Sequence, residues 1–206
     1  MPSEPVVDRL GHTGRSGRAV VAAPHHHDPS IEQILALHET FEPPEGHKAE
    51  VIGGQFVVSP TPAARHGLIY DELHDQLRQL LPRNLAVTNT ITLDMAATSE
   101  RYVPDLLVIS KDVLNTDEWL LAAEHAELVT EIVSRSNAGN DRVAKVRGYA
   151  ASGVPIYLLI DPLERWVTLF SEPAGECYQL VHRVPFGAGV ALPAPYSGKL
   201  DTSVFG

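Results

Sequence analysis

Two stretches decide the fold: Tyr102-Val103-Pro104-Asp105-Leu106-Leu107-Val108-Ile109-Ser110 and Leu128-Val129-Thr130-Glu131-Ile132-Val133-Ser134. Each reads as a strand covered on both faces, because branched aliphatics dominate without polar alternation. Each also carries one carboxylate, and a charge inside a core strand is costly unless it is paired or bound to a cation. Asp105 and Glu131 lie 26 residues apart, so they converge if the two strands are neighbours. Converging carboxylates raise each other's proton affinity unless a divalent cation sits between them. Hard oxygen donors without a multi-cysteine set or a nearby histidine pair favour Mg²⁺ or Mn²⁺ over zinc. The competing reading pairs either carboxylate with Arg101, Arg135 or Arg142 in an ordinary ion pair.

Working outward, the spacing predicts a helix over Asn137 to Ser152, ended by Gly153. Asp141, Lys145 and Tyr149 share one face of it at i, i+4, i+8, and Val143, Val146 and Ala150 share the opposite one. If the valines and Ala150 pack on the sheet, Lys145 points away and needs a rotation to reach the carboxylates. From spacing alone, an Asp141–Lys145 surface pair is the simpler reading. Arg135, Arg142, Lys145 and Arg147 against the single Asp141 make a basic strip beside the candidate site.

The remaining elements complete a mixed α/β (α+β) pattern. Asp28-Pro29-Ser30 opens a first helix with Ile31, Ile34, Leu35 and His38 on one face. Glu50-Val51-Ile52 and Gln55-Phe56-Val57-Val58 flank Gly53-Gly54, a hairpin signal. A second helix from about Ala63 aligns Ile69, Leu73, Leu77 and Leu80, and Pro82 stops it. Leu85 to Met95 alternates as one strand, Val154 to Ile160 is a buried strand, and Trp166 to Ser171 with Cys177 to Val184 forms a meander. Trp166 and Phe170 are expected in the core. Residues 1–27 read as a flexible tail and 28–206 as the folded domain. The tail's His25-His26-His27 tract is read as solvated.

The 206-residue chain has 26 acidic and 16 basic residues, a formal charge of −10, which argues against polyanion binding by bulk charge. A single cysteine, Cys177, excludes an internal disulfide framework and points to the cytoplasm. No apolar run is long enough to span a membrane, and Asp8, Arg9, Arg15 and Arg18 read against a secretory leader. There is no Gly-x-Ser-x-Gly turn, P-loop or dinucleotide glycine pattern. Aromatics make up 6% of the chain, without the basic and aromatic ladder of a single-strand binding platform.

One series of motifs resembles the Uma2 family (formerly DUF820), itself similar to the PD-(D/E)XK nuclease superfamily. It runs Glu50-Val51-Ile52-Gly53-Gly54-Gln55, Ser59-Pro60-Thr61-Pro62 with His66, Tyr102-Val103-Pro104-Asp105, Val129-Thr130-Glu131-Ile132-Val133-Ser134, Asp141, Lys145 and Tyr149, then Gly153-Val154-Pro155-Ile156-Tyr157 to Asp161-Pro162. The resemblance spans about Asp28 to the C-terminus. It implies a restriction-endonuclease-like core, a mixed central sheet flanked by helices, with metal at the ends of two central strands. By motif position Asp105 is similar to the superfamily's first acidic residue and Glu131 to the acidic residue of its half-motif. The Ile132 carbonyl would complete the coordination, and Glu50 would join as an outer metal or water ligand. The lysine expected two residues after Glu131 is replaced by Val133, and the family's lysine from the following helix matches Lys145. The family's usual proline after the serine is Arg135 here.

The activity so implied is Mg²⁺- or Mn²⁺-dependent hydrolysis of DNA phosphodiester bonds. Asp105, Glu131, Lys145 and Glu50 would be catalytic, and His66, Arg135, Arg142 and Tyr149 would line the substrate. The alternative is a catalytically silent nucleic-acid-binding or protein-interaction module of the same fold. An edge-strand homodimer fits the fold by analogy.

Overall fold

The computed structural model describes residues 29–206. The expected tail, its histidine tract and Asp28 lie outside the described residues. Helix α1 (Ile31–Thr40) starts at Ser30, not Asp28: Ser30 and Gln33 cap each other's backbone in a reciprocal box. Then follow β1 (His47–Ile52), β2 (Gln55–Pro60) and helix α2 (Ala64–Leu80). The Gly53-Gly54 turn joins β1 to β2 with both glycines at positive φ, as the hairpin reading requires.

Two expected strands are each divided. Leu85 to Met95 breaks into β3 (Leu85–Thr88) and β4 (Thr92–Met95), with Thr90 at φ 61° between them. Tyr102 to Ser110 breaks into β5 (Glu100–Tyr102) and β6 (Leu106–Ser110). Pro104 sits at that break, lacking an N–H for a ladder and restricting Val103 before it. In both cases the halves enter different sheets. The other strands are β7 (Leu120–Ala122), β8 (Ala126–Ile132), β9 (Ile156–Asp161), β10 (Trp166–Ala174), β11 (Cys177–Pro185), β12 (Gly189–Ala191) and β13 (Lys199–Asp201). Helix α3 (Lys145–Ala151) follows a π-helical turn over Asn140–Ala144.

One sheet has the order β11-β10-β9-β8-β6-β3 and a second the order β2-β1-β5-β4-β7, while β12 and β13 form a ribbon. Both large sheets are mixed: β8 runs parallel to β9 and β4 to β7, and the other pairings are antiparallel. The six-stranded sheet is the central layer. On one face Leu106, Val108, Leu128, Ile132, Leu158 and Ile160 meet Ile69, Leu73 and Leu77 of α2. On the other, Leu107, Ile109, Val129, Tyr157 and Leu159 meet Leu93, Met95 and Tyr102 of the second sheet and Tyr149 and Ala150 of α3. Alternation therefore commits Glu131, between Thr130 and Ile132, to the face shared with Val129, towards the second sheet and α3. Phe170 stacks on Tyr157 in this layer, whereas Trp166 is half-buried beneath the Arg183 guanidinium at 4.6 Å.

Gly148 of α3 lies against the Tyr102 ring, where a β-carbon would overlap the tyrosine. Gly148→Ala is expected to cost about 1–3 kcal/mol by overpacking, read as a lower denaturant midpoint.

Candidate active site

The central layer sets Asp105 and Glu131 at neighbouring positions of two paired strands. Strands β6 and β8 pair with Leu106 opposite Thr130, so the residue before the one and the residue after the other are neighbours. The Ile132 N–H donates to Asp105 Oδ2 at 2.8 Å. His66, in the first turn of α2, places Nε2 3.0 Å from the same oxygen, so this histidine holds Asp105 in position. Lys48 Nζ stands 3.5 Å from Asp105 Oδ1 and donates to the Val103 carbonyl at 2.8 Å.

Lys145 carries the second half of the site. It is 1% exposed, and its Nζ lies 2.8 Å from both Glu131 Oε1 and Glu50 Oε1 and 3.6 Å from Asp141 Oδ1. The expected facing of this helix is therefore corrected in part, since Ala150 packs on the sheet as expected but Lys145 does not point away from it. Asp141, Lys145 and Tyr149 turn inward, and Val143 is 63% exposed. Buried Glu131 and Glu50 demand a counter-charge, and burying one more valine cannot compensate for leaving them unpaired. The surface-pair reading of Asp141 and Lys145 fails for the same reason, since both are buried.

Tyr149 is also corrected. It is fully buried and donates from its hydroxyl to Glu131 Oε1 at 2.7 Å, so it braces the carboxylate and cannot touch substrate. Arg142 is engaged by an acid: its Nε and a terminal nitrogen bind Asp161 Oδ2 at 2.8 and 2.7 Å. Arg147 pairs with Glu176 at the surface. Of the expected basic strip, Arg135 stays exposed, and none of the ion pairs among the described residues includes it.

Sequence reasoning missed Lys48. The signal was available in β1, where Lys48 and Glu50 are two apart and so share a face. Glu50 accepts from the Val103 N–H at 2.9 Å through Oε1, and its Oε2 lies 3.7 Å from Lys48 Nζ, beyond a hydrogen bond. The carboxylates Asp105, Glu50, Glu131 and Asp141 are thus threaded on two ammonium groups.

That shortage of positive charge separates the acids. Burial opposes ionisation of Asp105, but the His66 hydrogen bond, the Lys48 charge and the Ile132 N–H outweigh it and hold the carboxyl at about 2. Burial likewise opposes Glu50, and Lys145 and Lys48 outweigh it, so its pKa falls. Burial pushes Glu131 up, against the pull of Lys145 and Lys48 and with help from Asp105 and Glu50. Burial also takes Asp141 up to about 8, because its share of Lys145 does not offset desolvation and the charge of Glu131. Lys145 is itself held charged, burial being outweighed by Glu131, Glu50 and Asp141.

The donors fit a hard divalent cation in chemistry: they are carboxylates in negative excess over the lysines, with Glu50 Oε2 buried and unpartnered. In the arrangement as it stands the lysines occupy the space between them. Among the described residues no three His, Cys, Asp or Glu side chains are grouped to hold an ion.

The mixed α/β fold is shared with a solved structure. The chain is similar to a crystal structure from Anabaena variabilis ATCC 29413, described as "a putative nuclease belonging to DUF820". The TM-score is 0.66 at 18% identity, over 86% of this chain and 97% of that one. The profile of the Uma2 family, described as "Putative restriction endonuclease", matches residues 31–202, so the chain belongs to the Uma2 family. No curated protein matches it.

Replacing Lys145 by Met leaves Glu50 and Glu131 buried without their ammonium. The expected loss is about 3–5 kcal/mol in chemical denaturation. Adding Glu131→Gln should restore part of it, because the two changes remove one interaction.

Proposed function

We propose that this Uma2 protein is a metal-dependent endonuclease that hydrolyses phosphodiester bonds of DNA. The observation that carries the reading is the cluster of buried Glu50 and Glu131 and partly exposed Asp105 gathered around Lys48 and Lys145. Such a cluster is expensive for folding alone and is a natural site for charge-dependent chemistry. Asp105 and Glu131 are the residues that would hold Mg²⁺ or Mn²⁺, with Glu50 as an outer ligand. The Ile132 carbonyl would be a further ligand: in extended backbone a residue's N–H and C=O point to the same edge, and the Ile132 N–H already points at Asp105. When bound, the ion polarises the scissile phosphate and lowers the pKa of an attacking water.

The chain's own groups do the rest. His66 and the Ile132 N–H keep Asp105 ionised and oriented. Tyr149 and Lys145 hold Glu131, and the charge of Lys145 orients the water or neutralises the charge that develops on phosphate oxygen. Lys48, partly exposed, and Arg135 supply phosphate contacts. The single cysteine fits a cytoplasmic setting. Among the described residues no helix is long and apolar enough to cross a membrane. A homodimer through the β11 edge is compatible with this role.

A second reading, a silent nucleic-acid-binding or interaction module, is favoured by one observation: two lysines already pair with the acids. Calorimetric titration with Mn²⁺ separates the two. The endonuclease is expected to bind Mn²⁺ and to lose that binding on Glu131→Ala, and the silent module to show neither.

The activity test is plasmid cleavage with Mg²⁺ or Mn²⁺. Wild type should nick or linearise the plasmid, chelation should stop it, and Glu131→Ala should reduce the rate at least 100-fold, the order by which ligand and charge-stabilising groups act. Undiminished cleavage by Glu131→Ala would sink the assignment.

A further inference from the structure

A cavity of ≈ 520 Å³ opens beside Asp105. That volume lies within the roughly 300–1,000 Å³ of ordinary ligand sites. Its lining combines two chemistries. Asp105, Lys48 and His66 share it with the rings of His38, Phe41, Tyr70 and Trp119. Trp119 is 49% exposed, unusual for the largest side chain on a protein with two tryptophans. It lies stacked against His38 with ring centroids 5.9 Å apart.

The two sets are joined through consecutive residues of β1. Lys48 reaches Asp105, and the next carbonyl, that of Ala49, lies 3.0 Å from His38 Nε2. Asp105 and Trp119 thus line one and the same cavity. Asn89 and Thr92 line the same cavity and offer hydrogen-bonding groups of both kinds. The catalytic cluster itself uses none of these rings.

We infer that this cavity receives one unstacked nucleobase of the substrate, held against Trp119, while the adjoining phosphate lies beside Asp105. The inference rests on the endonuclease reading and adds to it a substrate class: DNA with an unpaired or readily extruded nucleotide at the cleavage position. A base held in a paired stack cannot turn its face to these rings, whereas a free base gains aromatic stacking there. An acidic chain, poor in the bulk charge that grips a duplex, depends more on such stacking.

The test uses the full chain carrying Trp166→Phe, so that Trp119 is the sole tryptophan. Titration with a ten-nucleotide oligo(dA) in EDTA is expected to quench its emission, and the same oligomer paired with oligo(dT) to leave it unchanged within the error of the assay. In fluorescence anisotropy, Trp119→Leu should weaken single-strand binding about 5- to 150-fold, the loss of one base–aromatic stack. In parallel, wild type with Mn²⁺ should cut a duplex bearing one unpaired adenine faster than its fully paired counterpart. No quenching by the single strand, or equal affinity of wild type and Trp119→Leu, overturns the inference. If paired and unpaired duplexes are cut equally and Trp119 is silent, the base site is wrong and the endonuclease reading stands. If Trp119 is quenched and no DNA is cut, the base site stands and the endonuclease reading falls.

Discussion

The ammonium of Lys145, enclosed between Glu50 and Glu131, is the interaction on which the rest of the site depends. It ties together three elements from distant parts of the chain: β1 in the second sheet, β8 in the central sheet and α3 above both. A carboxylate alone at either strand position would be prohibitively costly to bury, and one lysine makes both tolerable. The compensation is incomplete, with Asp141 and Glu131 pushed up while Asp105 and Glu50 stay low. Acids of similar intrinsic strength are thereby divided by environment, the condition under which neighbouring carboxylates take different roles.

Around this contact the structure spends polar groups on positioning. Tyr149 and Tyr157 lie in the same ring layer, one bonding Glu131 and the other the Asp141 carbonyl. The π-helical turn over Asn140–Ala144 directly precedes Lys145, and such turns recur at functional sites because they shift the register of the residues that follow. The Asp105 half is braced by His66 of α2 and by Ile132, which follows Glu131 on β8, so that strand and β1, with Lys48 and Glu50, join the two halves of the site.

Much of the site was legible because it broke the hydrophobic pattern. Asp105 and Glu131 stand out as charges in apolar runs, and Asp141, Lys145 and Tyr149 as a helical face. The facing of that helix was not legible, since amphipathic spacing offers two stripes and only the buried acids choose between them. Tyr149 likewise looked available to substrate until the position of Glu131 was known. Lys48 escaped because a lysine on a hairpin strand is ordinarily solvated. In the fold, the strand expected over Tyr102 to Ser110 passed over the break that Pro104 signals, while the break at Thr90 carries no proline or glycine to announce it.

The amino-acid sequence by itself determined the mixed α/β class, the hairpin at Gly53-Gly54, the apolar face of α2, the strand that carries Glu131 and the apolar strand that follows Asp105, because these follow from local periodicity and turn chemistry. Only the tertiary structure decided that the strands divide between two sheets, that Lys145 turns inward and that Lys48 completes the cluster. Those outcomes depend on long-range compensation of buried charge, a quantity that exists only once separate segments have been brought into contact.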